Sequence, residues 1–92
     1  MATTKEQAVM VLAYLNRETS RNFKPVDATI KPIMARLKEG FTLGDCMNVI
    51  DFKVKKWGTD DKMSQYLRPM TLFAKTNFAN YAGEIPNEKP VK

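Results

Sequence analysis

The chain has no histidine and only one cysteine, Cys46, in 92 residues. One thiol cannot close an intramolecular disulfide, and without imidazole a zinc site lacks its usual ligand set. The sequence therefore reads as that of a reduced, cytoplasmic protein. Ser20 and Ser64 have no imidazole to activate them, so a Ser–His–Asp triad is unavailable. The four glycines are scattered and form no phosphate-binding loop. Asp60 and Asp61 are adjacent carboxylates in a turn-like setting, and nothing near them completes a cation cage. No apolar run approaches the roughly 18 to 20 residues of a membrane span. The first residues show no basic flank followed by an apolar stretch, so no signal peptide is expected. These absences predict a chain that is not an enzyme, with no cofactor, no metal and no membrane partner.

What is present is helical patterning and positive charge. Hydrophobic residues make up 43% of the chain, enough for one small core. Fifteen Lys and Arg against ten Asp and Glu give a formal charge of +5. That favours phosphates or an acidic protein surface without choosing between them.

The patterning predicts an all-α, compact bundle of three main helices with short C-terminal ones, in a single domain over 1–83. Thr3 with Glu6 fits a capping box, opening a helix over about 4–18. Ala8, Val11, Leu12 and Leu15 share one face of it. Val9, Met10, Ala13 and Tyr14 leave its other sides apolar too, as in a central helix or one that pairs with a second copy. The polar stretch 19–26 is a loop with a basic rim of Arg17, Arg21 and Lys24, and Phe23 folds back on the first helix.

A second helix is expected over about 28–39, capped by Asp27 or Thr29 and carrying Ile30, Ile33, Met34 and Leu37 inward. Pro32 favours the later start. Lys31 and Lys38 share a solvated flank, with Arg36 on another side, and Gly40 is the left-handed residue that ends the helix. Phe41 packs at the junction. Thr42 and Asp45 then cap a third helix over about 43–57, which Gly58 ends. Its predicted core stripe is Leu43, Cys46, Met47, Ile50, Val54 and Trp57, so Cys46 reads as a small buried hydrophobe. Short helices follow over about 60–67, 70–73 and 76–82. Phe78 and Tyr81 face inward from the last, Gly83 closes it, and a disordered tail is expected over 84–92.

The outward face of the third helix carries Asn48, Phe52, Lys55 and Lys56, with Lys53 on its edge. An aromatic ring beside lysines can stack on a base while the cations meet phosphates, or anchor a protein partner. With Lys38 and Arg68, these four are the candidate binding residues. The alternative for Phe52 is that the C-terminal segment of the chain covers it.

Several pieces occur together in an order that resembles a phage family. They are VLAYLN at 11–16, FKP at 23–25, ARLKEGFTL at 35–43, VIDFKVKKW at 49–57, KMSQYLRPMTLF at 62–73, and the pair Phe78 and Tyr81. The resemblance is to the conserved C-terminal domain of phage and prophage proteins, often attached to replisome-organiser-type replication proteins. Two positions depart from its pattern: Cys46 stands where a large aromatic is usual, and Met70 where an acid is usual. The DNA-binding portion that such organisers carry ahead of the domain is not within these residues, so autonomous origin recognition is not expected of them.

The resemblance implies a replication-associated accessory domain in the cytoplasm of a bacterial host. Its expected partner is a replication protein of host or phage, with auxiliary DNA contact and self-pairing through the first helix as further roles. Two other functions fit the same surface: a direct DNA-binding module, and a small phage inhibitor that blocks a host protein.

Overall fold

Helix α1, Thr4–Thr19, begins where the Thr3–Glu6 pattern placed it. The Thr3 hydroxyl accepts from the Glu6 amide at 3.1 Å, and the Glu6 carboxylate accepts from the Thr3 amide at 2.8 Å. Ala8, Val11, Leu12 and Leu15 are all buried. The helix ends at Ser20, which takes up the left-handed conformation with φ 57° and donates its amide to the Asn16 carbonyl. Asn16 then fixes the connecting loop. Its side-chain oxygen accepts from the Phe23 amide, its amide group donates to the Phe23 carbonyl, and Phe23 packs on the core as expected. Arg21, expected in a solvated rim, donates to the Ser64 carbonyl across the molecule.

The computed structural model describes residues 3–85, and no strand occurs among them. The elements after α1 are α2 (Asp27–Lys38), α3 (Leu43–Trp57), a 3-10 turn (Met63–Tyr66), α4 (Pro69–Leu72) and α5 (Lys75–Glu84). Helices α1, α2 and α3 follow the expected order and spans. The tail expected from 84 onward falls outside the described residues from 86 on.

Helix α2 starts earlier than Pro32 suggested. Its N-cap is Val26, and Pro32 lies inside the helix. Thr29 explains the earlier start: its hydroxyl accepts from the Val26 amide at 3.1 Å and donates to the Lys24 and Val26 carbonyls. Thr29 thus acts from the third helical position and not as the N-cap. At the other end Gly40 has φ 111°, a conformation that favours glycine, and allows the chain to turn into α3. The Thr42–Asp45 capping box is present. Gly58 ends α3 in a right-handed conformation, where a Cβ would lie 2.5 Å from the Val54 carbonyl oxygen.

The core stripe of α3 is rotated from the predicted one. Cys46 and Ile50 are buried, but Val49 and Lys53 join them, while Leu43, Met47, Val54 and Trp57 are half-buried. At about 100° per residue the shift is roughly 60°. The cause is α5, which packs on α3. The Lys53 side chain, expected on the edge of the outward face, is 4% exposed. Its ammonium meets the Glu84 carboxylate at 3.0 Å and stands 4.2 Å from the Tyr81 ring and 4.5 Å from the Trp57 ring. Trp57 and Tyr81 themselves make an edge-to-face contact at 5.7 Å. Glu84 carries the helix past Gly83, which therefore does not close it.

Arg36 is a second correction. Expected on a solvated face, its residue is 6% exposed, with its guanidinium donating to the Phe73 carbonyl at 3.1 Å and to Glu39 at 2.9 Å. Phe73 stacks on Phe78 at 5.2 Å, and Phe78 meets Phe41 edge-on at 4.7 Å. These three rings join α5 and the α2–α3 junction to the core. Asp60 nucleates the 3-10 turn by accepting from the Lys62 and Met63 amides, and Pro69 occupies the first position of α4, where its missing N–H costs nothing.

Two stability predictions follow from these contacts. Glu84→Ala leaves a buried ammonium without its counter-charge and should cost about 2 kcal/mol, whereas Lys53→Met should stay within about 1 kcal/mol of wild type. Urea unfolding of both variants checks this, and the reverse ranking would refute it. Val26→Ser supplies the hydroxyl that the α2 N-cap lacks and should raise stability by about 0.5–1 kcal/mol in the same assay.

Candidate functional site

The rotation of α3 decides what its outer face can present. Phe52, one turn beyond Asn48, lies on the flank of the buried stripe and is half-buried. The Lys56 ammonium stands 5.3 Å from its ring and that of Lys53 5.4 Å from it. Phe52 is thus framed by one buried and one exposed cation. Asn48, Lys55 and Lys56 are exposed, and neither lysine forms an ion pair among the described residues. The structure therefore gathers Asn48, Phe52, Lys55 and Lys56 on one face.

Lys38 and Arg68 do not join them. Helices α2 and α3 each pack on α1 and α5 more than on one another. Lys38, at the end of α2, lines a groove of about 510 Å³ with Lys5, Lys31, Val26 and Met34. Arg68 sits at the N-cap of α4, where its Nε donates to the Thr71 hydroxyl at 3.0 Å and its guanidinium lies 5.4 Å from the Tyr66 ring. It borders a cavity of about 180 Å³ with Phe23, Ala28, Pro69 and Met70.

The α3 face is tied to α1 by one contact that the sequence did not suggest. The Tyr14 hydroxyl donates to the Asp51 carboxylate, and Arg17 lies 5.2 Å from the Tyr14 ring. Asp51 is the acid nearest in sequence to Phe52, and this bond engages its carboxylate with α1. Beyond Tyr14, α1 leaves Met10 47% exposed, next to Ala13 and Met47.

Cys46 carries no chemistry at the surface. It is fully buried, and burial pushes its thiol up from 9.0 to about 12, where the reactive thiolate is scarce at neutral pH. Among the described residues no group of His, Cys, Asp and Glu is placed to hold a metal ion, and no helix is long and apolar enough to cross a membrane.

The model of the conserved phage C-terminus family (Phg_2220_C) matches residues 11–83, about four fifths of the chain. The chain belongs to this family. No curated protein and no solved structure matches it. The phage domain's matched stretch includes most of the core and the whole α3 face.

Two surface features escaped the sequence reading: the Tyr14–Asp51 bond and the groove beside α2. The groove had a visible signal, since Lys31, Met34 and Lys38 recur at helical spacing on one face. The bond joins residues 37 apart and had none.

Tyr14 gives a direct test of the α1–α3 tie. Its phenol is raised from 10.0 to about 12, chiefly because the protonated form donates to Asp51, with burial and the negative charge of Asp51 adding to the effect. The stabilisation is complete below pH 10 and is lost as the pH rises towards about 12. Asp51→Asn should move the Tyr14 midpoint down towards 10 in an ultraviolet tyrosinate titration. An unchanged midpoint would rule out Asp51 as the cause.

Proposed function

We propose that this phage domain is a non-catalytic recognition module of replication, docking on a protein of the replication machinery through the outward face of α3. The observation that carries the reading is Phe52, half-exposed on the flank of the core stripe, with the Lys56 ammonium 5.3 Å from its ring and Lys55, on the same side, in no ion pair among the described residues. An aromatic anchor ringed by cations is a common centre of a protein interface. Membership of the phage family and the resemblance to domains of replisome-organiser-type proteins support the replication context. A partner of that kind would place the domain in the bacterial cytoplasm.

Direct DNA contact is the second reading, favoured by the same pair of exposed lysines and by the engagement of Asp51 with Tyr14. A third is inhibition of a host protein by occupation of the same face. The readings differ in outcome. Docking on the replication machinery predicts recovery of a replication protein from host lysate by wild type, and its loss with Phe52→Ala and with Lys55→Glu/Lys56→Glu, both checked for retained helicity. Recovery of none, or equal recovery by both variants, overturns it. DNA binding predicts affinity that falls with salt at a log–log slope of about −0.9 per phosphate neutralised on duplex, and no detectable binding at low salt ends that reading. Inhibition predicts slowed host growth on expression, relieved by the same substitutions.

A further inference from the structure

The groove along α2 lies on different elements from the α3 face. Its floor is Val26 and Met34 with Ile30 beneath them, and its rim carries Lys5 from the first turn of α1 and Lys31 and Lys38 from α2. Among the described residues the one acid in the lining, Asp27, stands 3.9 Å from Lys31, which leaves Lys5 and Lys38 as surplus cations.

Val26 marks the groove as more than a packing fault. It occupies the N-cap of α2, a position that favours Ser, Thr, Asp or Asn, yet it is apolar and 52% exposed. Thr29 takes over part of the capping by accepting from the Val26 amide, but the Val26 side chain itself caps nothing and stands exposed. A local rule broken in this way is expected where a surface is used.

We infer that this groove docks an acidic peptide segment of a partner protein, seating an apolar side chain between Val26 and Met34 while carboxylates meet Lys5, Lys31 and Lys38. The surplus of lysines favours a negative occupant, and the exposed Val26 beside Met34 favours one that also carries an apolar side chain. No aromatic ring lines it for a base to stack on, which sets it apart from a single-strand groove. Helix α2 presents about 17 Å of this surface, enough for three turns of a docked helix or an extended stretch of similar length.

The test begins with a displayed library of random short peptides selected on the intact 92-residue chain. Enriched peptides are synthesised with a fluorophore and titrated by anisotropy, and their contacts are mapped by amide chemical-shift changes. The expected result is an excess of Asp and Glu around an apolar anchor, with shifts centred on Val26, Ile30, Lys31, Met34 and Lys38. Lys31→Glu/Lys38→Glu should weaken binding by about tenfold or more, in line with losing two charge contacts. Val26→Ser, which should keep or improve the fold, should weaken it by about threefold, as expected for losing an apolar contact. Lys55→Glu/Lys56→Glu should leave it unchanged. The proposal is overturned if no peptide is enriched, if the enriched peptides are neutral or basic, or if the groove variants bind as wild type does. It is also overturned if an oligothymidylate, in place of the peptides, moves the same amides. Failure here leaves the α3 reading standing, because the two surfaces share no residue.

Discussion

A buried ammonium organises the C-terminal half of the molecule. Removing Lys53 from water is unfavourable by several kcal/mol unless its charge is met inside. The Glu84 carboxylate and the faces of Trp57 and Tyr81 meet it, and only α5 can bring the acid and the tyrosine to that place. The register of α5 on α3 is thereby fixed, and with it the position of Phe78 against Phe73 and Phe41. Arg36 repeats the device from α2, reaching the Phe73 carbonyl where the chain leaves α4. Two cations in the interior thus hold the late elements to the two helices that precede them.

This is also where the sequence was hardest to read. Local signals served well: the Thr3–Glu6 and Thr42–Asp45 boxes, the positive φ at Gly40, and the stripe from Ala8 to Leu15 all depend on residues a few positions apart. Charge normally lies at the surface, and the contacts that draw Lys53 and Arg36 inward, to Glu84 and the Phe73 carbonyl, come from 31 and 37 residues along the chain. Cys46, Val49, Ile50 and Lys53 do recur at i, i+3, i+4 and i+7, so the buried stripe is legible once a lysine is allowed in it. Of the six candidate binding residues, the four on α3 share a face because helical spacing decides it. Lys38 and Arg68 were grouped with them on charge alone, which carries no information about proximity.

The family match and the surfaces describe different layers of the molecule. Of the residues in the matching pieces, Val11, Leu12, Leu15, Ile50, Leu67, Leu72, Phe73 and Phe78 are buried, and they account for how the chain folds. Lys55 and Lys56 beside Phe52, and Lys31 and Lys38 along α2, are exposed and lie outside that buried cluster. The exposed lysines can therefore be substituted while most of the interior contacts stay in place.

The enclosure around Lys53 has a practical meaning for anyone who cuts this domain out of a longer protein. The family match stops at residue 83, one position before the carboxylate that neutralises Lys53. It starts at residue 11, midway along α1, leaving out Ala8 and the Thr3–Glu6 box. A fragment trimmed to the match would carry an uncompensated interior charge at one end and an uncapped helix at the other. A fragment that keeps both contacts must span at least Thr3 to Glu84, and Ile85 also packs against the core.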